Sequence, residues 1–429
     1  MKLRSWYEKR GAKFIWQRGL SLLERYSLGP DKAIGRINDC VACLSDMGCA
    51  PTFFIPGIIV QRNPAFIRSL QAAGAEIAVH SFQHINLAEL TTNEARAQLE
   101  KAAQTFDRLG IEMRGFRCPY LGFTEELLNS LPSGLFTYSS NQTIFWNVID
   151  QGDSENNGVF FNTLSKFYRA IDSSQMVCLP RMRANMLEIP VCVPDDLQIR
   201  DGLQLDQEGI VQMWKQILQQ TYQRGELFSL IFHTEQAAYC DNPLMELIDY
   251  ARQLNPSVWI SRQREISEWW YSKATFKVEI DQTNAGLQIT FLCSPHATIL
   301  GKGIEVNGSG SKWYGNYLLF QARTIEVPSS PRPFLGLAPD IPEKTVSFLR
   351  EQGYILEIGE HASQCGIYLD ASIVVELGSE ICLIDYIESK PVPLVRFWRW
   401  PDGARSALCL TGDLDALTLW DYISRLLPN

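Results

Sequence analysis

The sequence predicts an α/β protein in which short strands and helices alternate around a mostly parallel sheet or barrel. Three observations predict it. From residue 50 to about 271, brief apolar runs ended by turn residues alternate with amphipathic helical stretches. Between residues 272 and 330 the texture changes to alternating strands and Gly or Ser turns, which reads as a small all-β unit, a β-sandwich. Residues 396–429 then return to the first texture after a small α/β unit at 331–395.

The elements follow in order. Residues 1 to about 50 read as helical, broken at Gly29-Pro30. APTFFIPG is a buried strand stopped by Pro56 and Gly57, AFIRSLQAAG a helix and AEIAVH a second buried strand. NEARAQLEKAAQTFDRLG has helical periodicity and ends at Gly110; MRGFRCPY is a strand and FTEELLNSL a helix. LEIPVCVP, LFSLIFH and SVWIS are read as single strands, separated by the helices VQMWKQILQQTYQRG and NPLMELIDYARQL. REISEWWYSK closes this first unit near residue 271. RWPDGARSALCLTGDLDALTLWDYISRLL supplies one more strand, an acidic turn and a helix.

Length and composition narrow the class. A chain of 429 residues is expected to hold two or three domains. A net charge of −9 argues against nucleic acid or acidic membrane as partner. No apolar run approaches a membrane span, and the N-terminus has charges too closely spaced for a secretory signal. Eleven scattered cysteines suggest reduced thiols and a cytoplasmic location. Cys40 and Cys43 form a CxxC pair, but DCVACLSDMG reads as an amphipathic helix with no second pair at zinc-site spacing.

Four polar clusters each follow directly on an apolar strand: His80 and His84 after AEIAV, Arg117 within GFRCPY, His233 after LFSLIF, and Asp413 with Asp415 after SALCLT. In barrels and open α/β sheets, catalytic groups collect at the carboxyl ends of strands. Two imidazoles at i and i+4 share one face if the HSFQH segment is a helical turn. A carboxylate from another strand would complete three ligands and leave a position for water. The plainer readings are an N-cap for Asp415, an ion-pair arginine for Arg117, and structural roles for His296 and His361.

Together these strings resemble the polysaccharide deacetylase family (carbohydrate esterase family 4, the NodB-homology fold). PTFFIPG resembles its apolar strand before the histidines, HSFQH its H-[ST]-x-x-H motif, RCPY its arginine-x-proline-aromatic motif and LIFH its late histidine motif. GDLDA resembles its first, acidic motif, but lies at the wrong end of the chain. The N-terminal segment offers only Asp31, without an apolar strand before it. The resemblance therefore implies a distorted (β/α) barrel of the deacetylase type, circularly permuted, formed by residues 1–271 and 396–429 around the two inserted units. Exchange of the C-terminal element between protomers, giving a homo-oligomer, is the alternative geometry.

The resemblance also implies roles. Asp415, His80 and His84 would hold one divalent metal, zinc first, with cobalt, nickel, iron or manganese as alternatives. Asp413 would be the general base toward metal-activated water, Arg117 would position it, and the backbone N–H of Tyr120 would face the oxyanion. His233 would protonate the leaving amine. Asp195 or Asp196 and Trp146 are candidates for the family's arginine-tuning acid and pocket wall. The implied activity is hydrolysis of a non-peptide carbon–nitrogen amide bond, with an N-acetylated sugar or polysaccharide as substrate. A small non-sugar linear amide is the alternative substrate, and an inactive carbohydrate-binding barrel the alternative class.

Overall fold

The protein is described by a computed structural model covering residues 27–148, 168–183, 185–203, 205–304 and 310–424. The sequence-predicted helix before residue 27 and the signal-sequence reading lie outside these residues. Helix Asp31–Asp46 buries Ala33, Ile37, Cys40, Val41 and Leu44. Cys40 is thus one of the residues of an apolar helix face, in keeping with the amphipathic reading.

The strands begin with β1 (Thr52–Ile55), β2 (Glu76–Val79), β3 (Gly115–Phe116) and β4 (Tyr138–Ser139). β5 (Thr143–Phe145), β6 (Ile171–Asp172), β7 (Arg181–Arg183), β8 (Met186–Glu188) and β9 (Val191–Val193) follow, then β10 (Leu227–Phe232) and β11 (Val258–Ile260). The inserted part holds β12 (Lys277–Gln282), β13 (Leu287–Leu292), β14 (Ala297–Lys302), β15 (Gly310–Lys312), β16 (Tyr317–Phe320) and β17 (Thr324–Val327). After these come β18 (Arg332–Leu337), β19 (Leu356–Ile358), β20 (Cys365–Leu369), β21 (Leu394–Pro401) and β22 (Ser406–Asp413).

Nine strands form the principal sheet, in the order β10-β22-β1-β2-β3-β4-β8-β7, with β11 also on β22. The result is a mixed α/β architecture with a curled, half-barrel sheet. Its pairings are parallel except for β7 with β8. The C-terminal strand β22 is therefore interior, bonded to β10 on one side and to β11 and β1 on the other. Such a strand is buried on both faces and must be apolar throughout, which is why SALCLTG lacks a clear alternation.

Period-2 geometry divides β22 between two cores. Leu408 and Leu410 join the cluster beneath the helices, with Phe53, Ile77, Phe116 and Phe228. Ala407 and Cys409 join the opposite cluster, where Trp269, Trp270, Trp398 and Trp400 connect the sheet to the inserted units. Gly412 is required by close approach: a Cβ there would lie 2.7 Å from the Phe53 ring.

The helices are capped locally. Thr91 and Glu94 form a capping box for Thr92–Arg108, and Gly110 follows at φ +65°. Gln207–Arg224 starts on the Asp206 cap and stops at Gly225, φ +70°. The remaining sequence-read helices are Pro64–Ala72, Glu125–Ser130, Ala237–Gln253, Gln263–Lys273 and Leu419–Ser424.

Three sequence readings change. HSFQH is not a helical turn: His80 follows the end of β2 and the chain bends through Ser81 at φ +62°. LEIPVCVP is not one strand, because β8 and β9 flank Pro190 and enter different sheets. Pro190 has no N–H for a ladder, so the chain changes sheet there. The strand before β22 belongs elsewhere than expected: β21 pairs antiparallel with β14, and the chain rejoins the principal sheet only at β22. Two antiparallel sheets, β12-β13-β17 and β15-β16-β14-β21, share one apolar cluster. The following unit is a three-stranded parallel sheet, β19-β18-β20, with the helices Glu343–Gln352, Ala371–Leu377 and Glu380–Ser389.

Candidate metal and acid–base site

Register alone assembles the site. Phe54 is paired with both Ala78 and Asp413, Phe232 with Gly412, and Val79 with Phe116. The strand ends are therefore level, and the residues just beyond them meet: His80 after β2, Arg117 after β3, His233 after β10, and Asp413 ending β22.

His80 donates from Nδ1 to the Arg117 carbonyl at 2.9 Å. A carbonyl only accepts, so Nδ1 carries a proton and Nε2 is the nitrogen turned toward the site. That Nε2 lies 3.5 Å from Asp415 Oδ1, and His84 Nε2 lies 3.1 Å from Asp415 Oδ2. One donor atom each from His80, His84 and Asp415 all lie within 4.8 Å of one another. Ligands held about 2.1 Å from a tetrahedral ion are separated by about 3.4 Å, so two imidazole nitrogens and a carboxylate at these spacings fit a zinc-type ion.

Asp413 belongs to a different arrangement. Its Oδ1 accepts from Arg117 Nη1 at 2.7 Å, and its Oδ2 stands 3.8 Å from His80 Nε2. Arg117 is fully buried and its fork is fixed on every side. Nε donates to the Ser140 carbonyl at 3.2 Å, and Nη2 to Ser140 Oγ at 3.1 Å and Thr411 Oγ1 at 3.0 Å. Its guanidinium carbon is 4.0 Å from the centre of the Phe54 ring. A guanidinium fixed in this way anchors Asp413 through Oδ1.

His233, just beyond β10, has its own acid. Asp196 Oδ1 is 2.7 Å from His233 Nδ1, and Asp196 Oδ2 accepts the His233 backbone N–H at 2.6 Å. Contacts this short are hydrogen bonds and leave no room for an ion between the donors. Burial alone lowers the His233 pKa. The charge and hydrogen bond of Asp196, with Glu235 and Asp195, more than reverse this and hold the imidazole well above its usual range. Asp195 is pushed up to about 7 by burial and by the charge of Asp196. Tyr168 links the two clusters, since Asp195, Asp413 and Asp415 all act electrostatically on its phenol, which burial pushes up.

All seven site residues read from the sequence lie at this end of the sheet. Tyr120 sits in the turn Pro119–Leu121 at φ +60°, its ring 4.8 Å from the His84 ring. Two candidates are corrected. Asp196 gives both of its carboxylate oxygens to His233 and is the acid that tunes that imidazole. Trp146 is no pocket wall: it is fully buried in the helix-side core, with Arg224 over its ring at 5.1 Å. Sequence reading missed Ser140, Thr411 and Tyr168. Thr411 carried a signal, for it stands two residues before Asp413 and shares its side of β22.

His80, His84, Arg117 and Tyr120 fall in one stretch that matches a known family. Residues 31–135 match the polysaccharide deacetylase family model. His233, Asp413 and Asp415 lie outside the matched stretch. Similar solved structures include a family 4 carbohydrate esterase from Streptomyces lividans, at 15% identity and TM-score 0.30, covering 51% of this chain and 82% of that one. A peptidoglycan deacetylase from Bacillus subtilis has 18% identity and TM-score 0.29, covering 49% and 76%. An allantoinase has 19% identity and TM-score 0.41, covering 56% and 72%.

Proposed function

We propose that the protein is a metal-dependent hydrolase that removes the acetyl group from an N-acetylated sugar, and that its barrel is circularly permuted. The observation that carries the reading is the Arg117-anchored Asp413 beside the His80, His84 and Asp415 donors, with an Asp196-charged His233 in the same site. The family match over residues 31–135 supports it. The interior position of β22 supports the permutation, as does the hydrogen bond from Leu419 N–H to the Ser27 carbonyl, which joins the two distant parts of the chain.

His80, His84 and Asp415 would hold the metal, which when bound supplies Lewis acidity at the scissile amide and to the attacking water. Asp413 accepts the proton of that water, and Arg117 keeps its second oxygen occupied so that the first faces the substrate. His233 delivers a proton to the leaving nitrogen, because an amine cannot depart as an anion. The products are acetate and the free amine. A cytoplasmic location favours a small or lipid-linked sugar over a finished wall polymer.

The acid role has a testable pH signature. A histidine held above its ordinary pKa stays protonated as pH rises through neutrality, and activity is lost only as pH passes its folded pKa. Asp196→Asn removes the charge that raises it, so the alkaline limb of kcat/KM is expected to move toward acid by about one pH unit or more. The check is a pH–rate profile on an N-acetylglucosamine oligomer. An unmoved alkaline limb would remove His233 from the acid role. No amine release from acetylated sugars by metal-loaded wild type would favour a binding protein.

A further inference from the structure

β10 and β22 have a second polar end. Their first residues follow Glu226 and Arg405, and strands of this length put that end roughly 20 Å from His233 and Asp413. There a pocket of ≈ 360 Å³ opens between the end of helix Gln207–Arg224, the sheet of β14, β16 and β21, and helix Glu380–Ser389.

The pocket's five basic side chains outnumber its three acids, Glu226, Glu388 and Asp385. Arg224 is paired with Glu226 at 2.8 Å, while Arg396 and Lys302 share Glu388 at 2.6 and 3.8 Å. Arg399 and Arg405, only 1% and 8% exposed, have no carboxylate oxygen within 4.0 Å among the described residues. Arg399 donates from Nη1 to the carbonyls of Arg224 and Gly225, and Arg405 from Nη2 to that of Gln223. The Nε of each is buried without a hydrogen-bond partner. Tyr314 and Trp398 stack on Arg405 at 4.2 and 4.7 Å, offering only partial charge. Burial and the neighbouring Arg396 pull both guanidiniums down to about 10, so they remain cationic at neutral pH. Two buried cations without a direct ion pair, offset only at longer range by Glu226 and Glu388, are costly, and their planar forks match an oxyanion.

We propose that this pocket binds a small phosphorylated molecule, about the size of a phosphorylated monosaccharide, whose phosphate supplies the missing counter-charge to Arg399 and Arg405. A dianion suits two guanidiniums better than a single carboxylate does. Ile381 and Ile384 line part of the pocket, beside Asp385 and Tyr317, and can take the remainder of the ligand.

The test is calorimetric titration of the full chain with glucose 6-phosphate, inorganic phosphate and glucose. At least one phosphate-bearing probe is expected to bind and glucose is not. Arg405→Gln is expected to weaken phosphate binding at least tenfold. Asn316→Trp, which adds bulk at an exposed pocket residue and leaves every buried charge in place, is expected to weaken glucose 6-phosphate or inorganic phosphate equally. His84→Ala, far along the strands, should leave the affinity unchanged. No binding by either phosphate probe to wild type, or undiminished affinity in Arg405→Gln and Asn316→Trp, overturns the proposal. Loss of binding in His84→Ala also overturns it, by moving the phosphate to the histidine site.

Discussion

Asp413→Asn is expected to lower kcat by about a thousandfold or more while leaving the metal content near that of wild type. Asparagine is isosteric and can still accept the Arg117 hydrogen bond through its amide oxygen, so the strand end should stay in place. What it cannot do is accept a proton from water at neutral pH. The metal should remain because the three clustered donors come from His80, His84 and Asp415. Amine release from an N-acetylglucosamine oligomer, measured beside metal content, checks both halves. Activity near that of wild type would show that another group is the base.

Arg117→Met is expected to be the most damaging single change to the fold near the site. The guanidinium is fully buried and satisfies Asp413, Ser140 and Thr411 together. Its removal leaves a mostly buried carboxylate without a counter-ion, an effect of roughly 3–5 kcal/mol. At about 2–4 °C per kcal/mol for a domain of this size, the melting temperature should fall by roughly 10 °C. Activity should vanish as well, since nothing then orients Asp413. Adding Asp413→Leu to this variant should recover part of the stability and none of the activity, a coupling that a double-mutant cycle measures. Equal melting temperatures for wild type and Arg117→Met would mean that the network adds nothing to the fold.

The strand ends were the most legible part of this sequence. Short apolar runs followed at once by His, Arg or Asp located His80, Arg117, His233 and Asp413 before any geometry was known, because a parallel sheet presents such residues on one edge. The register then needed only to level those ends. The entry of residues 406–413 into the sheet was legible for the same reason, as an apolar run cannot lie at the surface. The path between HSFQH's histidines was not, since i,i+4 spacing suits a helix and here a bend at Ser81 serves instead. Nor was the partnership of Asp196 with His233, which depends on how the chain leaves β9 and has no local pattern. The ten residues before β22 misled most: β21 reads as the start of the barrel's last part, yet pairs with β14. Cross-strand pairing between distant segments is a tertiary choice that periodicity cannot express.

The central claim is that the far C-terminal turn completes the histidine site. The direct measurement is metal content of purified wild type and Asp415→Ala, by elemental analysis after exhaustive dialysis. About one divalent metal per chain in wild type and loss of most of it in the variant is the predicted result. Equal metal in both proteins would contradict it, leaving GDLDA as a turn and assigning the third ligand to another acid.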